Sequence, residues 1–465
     1  MSARRPRFPG AVGGRHATRR ALAFLAIAGL HALPVRAQAA PTTLDFGAAV
    51  ALARQGPSVT AAELAVRGAQ AKLAASFPAM TGSLQTGLSQ SWSDASGVSS
   101  QRGGLEPFSL SATFNVVPYG PGFDARLDAE RALATARMAL DDTTRQATVD
   151  AVRAYLQALR TQRRIELDAR AVALAEASAQ HVRTLQDAGN ATDASVADAA
   201  MALMQARIAL ASDRLALATA LADLSDRVGR TVAGVAGEPP AGHAATGSTL
   251  DDALARRSDV RQAALALEAA RRGYAAGVRS MVPSARASAD LASGDGSTSW
   301  GAGIAYGTST FQPSLQASVT PGGSTTSNGS TLQGTRLALA LTINVPLDTS
   351  VGAALEGARL TVAAADRELE RARQRAALAV ASAERTLGSN TLQARLATAQ
   401  RDRAAEKADE AARRLDLGLV ATPELDRARL DADGADLVAR AADDAVLLAR
   451  LELAQALGLD PLEVF

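Results

Sequence analysis

Residues 123–188 read FDARLDAERALATARMALDDTTRQATVDAVRAYLQALRTQRRIELDARAVALAEASAQHVRTLQDA, an uninterrupted run without glycine or proline. Alanine, leucine, arginine, glutamine and glutamate dominate it, and these residues lose little free energy on entering a helix. A single helix of this length would extend about 99 Å, far beyond the usual three or four turns. Its apolar residues Val149, Val152, Leu156 and Leu159 have the spacing of a coiled-coil seam. The run therefore predicts a long helix that packs lengthwise against other helices.

The chain contains an internal duplication. Gly189, which ends this first run, returns as Gly418, and Gly229 returns as Gly458 at the same offset along the chain. A second long run without proline begins after Pro346 and ends at Gly418. Such a repeat predicts two copies of one helix–hairpin–long helix–helix unit. The predicted organisation is a signal peptide at 1–39, a first repeat at 40–229, a linker at 230–248, a second repeat at 249–458 and a C-terminal tail at 459–465.

The first forty residues predict export. Six arginines precede a short apolar core at 21–33, and Ala37-Gln38-Ala39 offers a cleavage site. The core is too short to span a bilayer as a helix. No later stretch reads as a helical membrane span either, so any membrane crossing would have to use strands. A short helix is predicted at 44–55 and another at 57–77.

Composition excludes several function classes. Seven arginines and no acidic residue precede Ala40, so 42 basic and 47 acidic residues remain, a net charge of −5. The basic character of the whole chain thus belongs to the signal peptide, and no nucleic-acid partner is expected. There is no cysteine, which rules out disulfides and thiolate metal sites. We find no nucleophile–base set, metal-ligand spacing or phosphate loop, so neither an enzyme nor a cofactor is expected.

The stretch at about 79–117 changes its apolar period from 3.6 to 2, which predicts a hairpin with one apolar and one small, polar face. A second hairpin is predicted at about 284–345, with an insertion at 294–334 that is rich in serine, glycine and threonine. Strands of about 9–11 residues suffice to cross a bilayer when tilted. We expect the lipid-facing residues to be Leu84, Leu88, Phe108, Leu110, Phe114, Val116, Leu337, Leu339, Leu341 and Ile343. Trp92 and Trp300 are candidates for an aromatic belt at the membrane interface, or equally for loop anchors.

From residue 44 to about 458 the chain resembles the TolC-like outer-membrane efflux family. The carrying stretches include LDFGAAVALARQGPSV, FNVVPYGPGFDARLDAERA and INVPLDTSVGAALEGARL, and the turns LQDAGNATDASVADA and LDLGLVATPELDRARLDA. The resemblance implies a mainly α fold with a membrane β-barrel part: a homotrimer whose four strands per chain close a twelve-stranded barrel above a helical tunnel. It also implies a periplasmic adaptor protein and an inner-membrane pump as partners. Independently, four strands cannot close a barrel in outer-membrane lipid, which requires oligomerisation.

The two turns after the long helices would form the periplasmic tip in this family. Asp193 and Thr422 are predicted as the N-caps of the helices that follow. The family often places carboxylates near this entrance, and Glu424, with Asp426 beside it, matches that position. Glu424 would equally suit a first helical turn for its charge alone. The predicted tip residues, where an adaptor would dock, are Gly189, Asp193, Gly418, Thr422, Glu424 and Asp426.

The sequence thus predicts a passive exit channel for efflux or type I secretion. The alternative is a periplasmic coiled-coil adaptor or a structural envelope protein. An adaptor would carry one helical hairpin flanked by compact β domains, whereas this chain has two copies, each interrupted by amphipathic strands. Those alternating strands also argue against a purely structural coiled coil.

Overall fold

The computed structural model describes residues 42–76, 80–85, 88–95, 98–105, 108–114, 121–240, 242, 250–280, 282–295, 298–308, 313–321, 333–345 and 350–465. The first repeat holds β1 (Thr42–Asp45), α1 (Phe46–Ala53), α2 (Pro57–Ala75), β2 (Met80–Gln85), β3 (Leu88–Ala95), β4 (Val98–Leu105), β5 (Phe108–Phe114), α3 (Pro121–Asp187) and α4 (Asp193–Val228), and β6 (Val232–Ala236) follows it. The second holds α5 (Leu250–Arg256), α6 (Ser258–Ser280), β7 (Ser284–Asp295), β8 (Thr298–Gly307), β9 (Pro313–Pro321), β10 (Gln333–Asn344), α7 (Ser350–Asp416), α8 (Thr422–Ala456) and a terminal 3-10 helix (Pro461–Val464).

Two long helices organise the molecule. α3 and α7 have 67 residues each, so each extends about 100 Å. α2 and α4 pack along α3, while α6 and α8 pack along α7, and α3 also contacts α8 across the two repeats. The predicted long helices, each with two shorter helices beside it, are confirmed.

A collar surrounds the middle of α3; we define it as residues 42–53, 232–237 and 459–465. β1 and β6 pair in parallel, and Leu44, Val232 and Val235 are buried there. The Tyr155 hydroxyl donates hydrogen bonds to the carbonyls of Ala236, at 2.6 Å, and Gly237, at 3.0 Å. The prediction of helix throughout 44–55 is therefore wrong at its start, and the predicted linker contains a strand. Both strands form because each buries apolar residues against α3 and satisfies its backbone on the other.

The C-terminal residues complete the collar. The Phe465 ring stands edge-on to Phe46 with centroids 5.1 Å apart, and Phe46 in turn packs edge-on against Tyr155 at 5.5 Å. Arg54 forms an ion pair with Asp460 at 2.8 Å. The segment predicted as a tail is thus packed against the first repeat.

The strands form a six-stranded antiparallel sheet in the order β10-β7-β8-β9-β5-β2, and β3 pairs with β4 as a separate ribbon. The sheet therefore has more strands than the four predicted. The reason is the insertion, which forms β8 and β9 between β7 and β5. The order β10-β7-β8-β9 is that of a Greek key. We call the end of this sheet that is remote from the helices its outer end.

One described helix, α4, is long and apolar enough to span a membrane by composition, with an 18-residue window of mean hydropathy 1.2. None of that window is buried within the chain. No helical membrane span was predicted after residue 40. α4 packs along α3 and carries charged residues such as Arg207 and Asp213. Because of these charges its sequence was not interpreted as a membrane span.

Candidate functional site

The first candidate surface is the apolar face of the sheet. Because the register is antiparallel and unbroken, paired residues project from the same face. Leu337, Leu339, Leu341 and Ile343 of β10 are 63–75% exposed within the chain. At the other edge of the sheet, Leu84 of β2 lies opposite Leu110 of β5, and both side chains are exposed.

The remaining predicted strand residues are less uniform. Phe114 is half-buried and ends β5. Trp300 lies on the apolar face of β8, near the outer end, where its backbone pairs with Val319. Leu88 and Trp92 lie on β3, outside the six-stranded sheet, and their side chains, like that of Phe108, lie outside the described part of the structure. Val116 lies outside the described residues altogether.

The opposite face of the same sheet is small and polar. The hydroxyls of Ser83 and Ser111 lie 2.7 Å apart on the paired strands β2 and β5. Arg286 and Asp290 of β7 and Arg336 of β10 project from this face at three different levels. Among the described residues none of these three side chains forms an ion pair, so their charges remain available to solvent or solute.

The second candidate site lies at the far ends of α3 and α7, where two turns have the same backbone geometry. Gly189 has a φ of +78° and Gly418 a φ of +70°. In the first turn the Gly189 and Asn190 amides donate to the carbonyls of Gln186 and Leu185, at 2.8 and 2.7 Å. The amides of Gly418 and Leu419 repeat this pattern in the second turn. Each helix thus ends in a Schellman motif, which requires a left-handed residue.

The helices that follow these turns begin differently from the prediction. The N-cap of α4 is Thr192, whose hydroxyl accepts from the Ser195 amide at 3.3 Å. Asp193 is instead the first helical residue, and its carboxylate accepts from the Gln186 side chain at 2.6 Å. α8 begins at Thr422 with Ala421 as N-cap, and no side chain caps it. Both predicted caps are off by one residue because the chain enters each helix directly from an extended N-cap, Thr192 with φ −93° and Ala421 with φ −91°.

The second turn is more apolar than the first. Leu417 is 73% exposed and Leu419 is 70% exposed, on either side of Gly418. The equivalent residues of the first turn are Ala188 and Asn190. These leucines were not predicted as part of the tip, although two large apolar residues beside a turn glycine indicate a contact surface.

The carboxylates predicted for this region are both solvent-exposed. Glu424 and Asp426 flank the buried Leu425 in the first turn of α8. In the part of the chain that the structure describes, neither forms an ion pair, and no hydrogen bond joins the two turns. The structure therefore keeps these charges free at the end of the helical bundle.

A pair of carboxyl groups lies between α3 and α4, about 28 Å from the end of α3. Burial raises the pKa of Asp168, and a hydrogen bond to Asp213 together with its negative charge raises it further, while Arg164 lowers it. Arg164 forms an ion pair with Asp213 at 2.9 Å. Among the described residues no donor reaches the buried Oδ2 atom of Asp168. Burial and the neighbouring carboxyl group thus both favour the protonated form of Asp168.

Comparison with known proteins agrees with this geometry. Residues 50–230 match the model of the outer membrane efflux protein family, and no curated protein matches the chain. Among solved structures is CusC, whose crystal structures concern its folding and transmembrane channel formation. It is 17% identical to this chain with a TM-score of 0.65, and the match covers 92% of this chain and 96% of CusC. The outer membrane channel CmeC of Campylobacter jejuni is 13% identical with a TM-score of 0.63, over 89% and 85%. The outer membrane protein VceC of Vibrio cholerae is 16% identical with a TM-score of 0.61, over 89% and 96%.

These identities are low, so the likeness to the solved structures is one of fold. The resemblance that the sequence predicted is confirmed, by sequence over the first repeat and by fold over nearly the whole chain. The family consists of outer-membrane channels rather than of enzymes.

Proposed function

We propose that this chain, which matches the outer membrane efflux protein family over its first repeat and shares the fold of solved outer-membrane channels, is the outer-membrane channel of an efflux or type I secretion system. Solutes would pass through it passively, driven by an inner-membrane pump. The observation that carries the proposal is a sheet with one exposed apolar face and one polar face at one end of a helical bundle about 100 Å long. Lipid suits the first face and a water-filled lumen the second.

Two kinds of unpaired surface support a homotrimer as the assembled form. β10 and β2 are the two edges of the described sheet, and an open edge is not tolerated in lipid. The helices also expose large apolar residues that a second copy of the chain would cover. These include Met204, Ile208 and Leu215 on α4 and Leu360, Leu378, Leu392 and Leu396 on α7, each 60–71% exposed.

A matched pair of arginine substitutions tests the membrane assignment. Leu341 lies on the apolar face of β10 and Ala340, its neighbour, on the polar face. We expect Leu341→Arg to weaken assembly by roughly 2–4 kcal/mol if the residue lies near the middle of the bilayer, and Ala340→Arg to be tolerated. The measurement is the amount of heat-labile trimer in the outer-membrane fraction. Equal effects of the two substitutions, or recovery as a soluble periplasmic monomer, would reject the proposal.

The adaptor would dock on the two turns, where Leu417 and Leu419 offer apolar contact and Glu424 and Asp426 offer charge. An ideal Cβ on Gly418 would meet no atom within 4 Å, so only its positive φ opposes a larger residue. Gly418→Val should therefore cost on the order of 1–2 kcal/mol locally. Export measured in cells should fall while the trimer level stays normal.

Gly388→Val is the matched control, because Gly388 lies within α7, has no positive φ and also has open space around it. Export at full rate with valine at both Gly189 and Gly418 would show that docking does not use the turns.

A further inference from the structure

The insertion of the second repeat forms strands that are paired within the sheet, not a loop outside it. β8 pairs with β7 from Gly307 to Ser299, and β9 pairs with β8 along its whole length. On its other side β9 pairs with β5, with Phe108 opposite Val319 and Thr113 opposite Ser314. The inserted strands thus provide the junction between the sheets of the two repeats.

The apolar face continues across the inserted strands without a change of register. Leu339, Ala289, Ile304, Leu315 and Ala112 stand side by side on β10, β7, β8, β9 and β5. Ile304 is 57% exposed and Leu315 is 46% exposed, comparable to the leucines of β10. A strand slipped by one residue would place these side chains on the opposite face. The inserted strands therefore present the same kind of surface as their neighbours.

The polar face is continuous in the same way. Ala338, Asp290, Gly303, Gln316 and Ser111 form the adjacent row across the same five strands. An ideal Cβ on Gly303 would stand 2.0 Å from the Asp290 Oδ1 atom, so the carboxylate lies across the strand at a position only glycine leaves open. The inserted β8 therefore accommodates a charged side chain of β7 on the polar side of the sheet.

The lengths and connections also match a membrane wall. β7, β8, β9 and β10 have 12, 10, 9 and 12 residues, enough to cross a bilayer, whereas β2 and β5 contribute 6 and 7 residues to the sheet. At the outer end the connection between β7 and β8 is two residues and that between β9 and β10 is eleven, whereas the connection between β8 and β9 at the helical end is five. The eleven-residue connection is typical of the longer outer loops of outer-membrane barrels.

We propose that β8 and β9 cross the outer membrane, so that each chain supplies six wall strands. This inference rests on the proposed channel function and its trimer, in which the wall would then have 18 strands rather than 12. Barrel diameter grows roughly linearly with strand number, so the exit would be about 1.5 times as wide as one with 12 strands. Its lining would include Arg286, Asp290 and Arg336 of every chain, which suits bulky polar solutes.

Single cysteines in the full-length chain test this directly, because the natural sequence has none. Ile304→Cys and Ala305→Cys report on β8, and Leu315→Cys and Gln316→Cys report on β9. Leu341→Cys and Ala340→Cys on β10 are the matched controls. In reconstituted vesicles, a water-soluble maleimide should label the polar-face positions 305, 316 and 340 at least several-fold faster than the apolar-face positions 304, 315 and 341. Fluorophores attached after unfolding at 304, 315 and 341 should be quenched by dibrominated phosphatidylcholine.

The controls separate two kinds of failure. In one outcome, labelling and quenching differ between positions 340 and 341 as expected, but positions 304, 305, 315 and 316 all label quickly and are not quenched. The inserted strands then lie outside the lipid, and the inference is wrong while the proposed channel function stands. If 340 and 341 do not alternate either, the proposed function fails together with the inference. Alternation at all three pairs supports both.

Discussion

The middles of α3 and α7 are equivalent positions of the two repeats, related by the same offset as Gly189 and Gly418, yet they differ in how much of the helix surface is covered. Val149 is 1% exposed, whereas its equivalent Leu378 is 65% exposed. The difference comes from the collar, which packs its strands, α1 and the C-terminal residues around α3. In α7, Ala376 and Val380 are buried, the latter in a cluster to which Leu459 adds, while Leu378 stays exposed and no described strand pair covers it.

This contrast separates two sources of stability. The first repeat buries the middle of its long helix beneath other segments of the same chain, including Leu447 and Leu451 of α8. The second keeps a leucine where the first has a valine, but leaves it to solvent within the chain. Burying a leucine side chain contributes about 1.5–3 kcal/mol, so a partner surface there would be strongly favoured. The repeats thus share a length and a helical pattern. They differ in whether the apolar residue at this position of the long helix is buried within the chain or exposed.

The largest expected effect is in the covered middle. Leu156 is fully buried beneath the collar, and its equivalent in α7 is Arg385, which is exposed. Leu156→Ala should lower stability by about 2–5 kcal/mol through lost burial and a residual cavity. Arg385→Ala should change it by no more than about 0.5 kcal/mol. Unfolding midpoints followed by circular dichroism in detergent compare the two, and similar losses would contradict the asymmetry.

A smaller effect is expected at Leu378. If another copy of the chain covers this residue, Leu378→Ala should weaken the trimer by about 1.5–3 kcal/mol per interface while helix content stays unchanged. Glu384→Ala, at an exposed position equivalent to Tyr155, serves as the control. The temperature at which the trimer dissociates on a gel is the readout. An unchanged temperature would mean that α7 stays uncovered in the assembly.

The C-terminal residue should matter less, and only to the first repeat. Phe465→Ala removes the edge-on contact with Phe46, a loss of about 0.5–1.5 kcal/mol beyond the buried area. Leu462→Ala, whose side chain in the same segment is 41% exposed, should have little effect. Hydrogen exchange can locate the change, which we expect at β1 and α1. Increased exchange in α7 instead would refute the local role of the collar.

The smallest effect is a dependence on pH. The equivalents of Asp168 and Asp213 are Ala397 and Ala442, so the second repeat lacks the carboxyl pair. Because the pKa of Asp168 is raised in the folded state, its native form favours the proton, and stability falls as the pH rises from the ordinary aspartate pKa through the raised one. Asp168→Ala should therefore stabilise the first repeat at pH 7, by less than about 1 kcal/mol.

That advantage should disappear below about pH 3.9, where the group is neutral in both states. Melting temperatures of the natural chain and the variant between pH 4 and pH 8 test the sign. Asp198→Ala, on the exposed face of α4, is the matched control for the loss of a carboxyl group. A gain that grows as the pH falls would contradict the assignment.

The sequence predicted the long helices well because their signal is local. The run at 123–188 has uniform helix formers and clear stop residues, and the structure places α3 within two residues of it. The collar was missed because β1 and β6 are short and are separated in the chain by all the helices and strands of the first repeat. Neither has an alternation long enough to read, and their stability comes from burial against α3.

The inserted strands were missed for another reason. In β8 the alternation Trp300, Ala302, Ile304 and Tyr306 stands among glycines, which usually indicate loops. A Cβ at Gly303 would collide with the Asp290 carboxylate as it lies in the structure, a contact that no local pattern reveals. At the candidate tip, the turn glycines were predictable from helix-ending chemistry, whereas Leu417 and Leu419 become notable only through their exposure.

The pairing of β5 with β9 has a consequence for the order of events during export. Phe108 of β5 pairs with Val319 of β9, which lies in the second repeat, beyond both α3 and α4 in the chain. This pair cannot form until Val319 has been synthesised. At a synthesis rate of about 5–20 residues per second, the interval between the two is roughly 10–40 s. If export keeps pace with synthesis, the amphipathic strands of the first repeat spend that interval outside the cytoplasm without the partner that completes their sheet. Under that condition the newly exported chain has to be kept from pairing with its neighbours until its second half arrives.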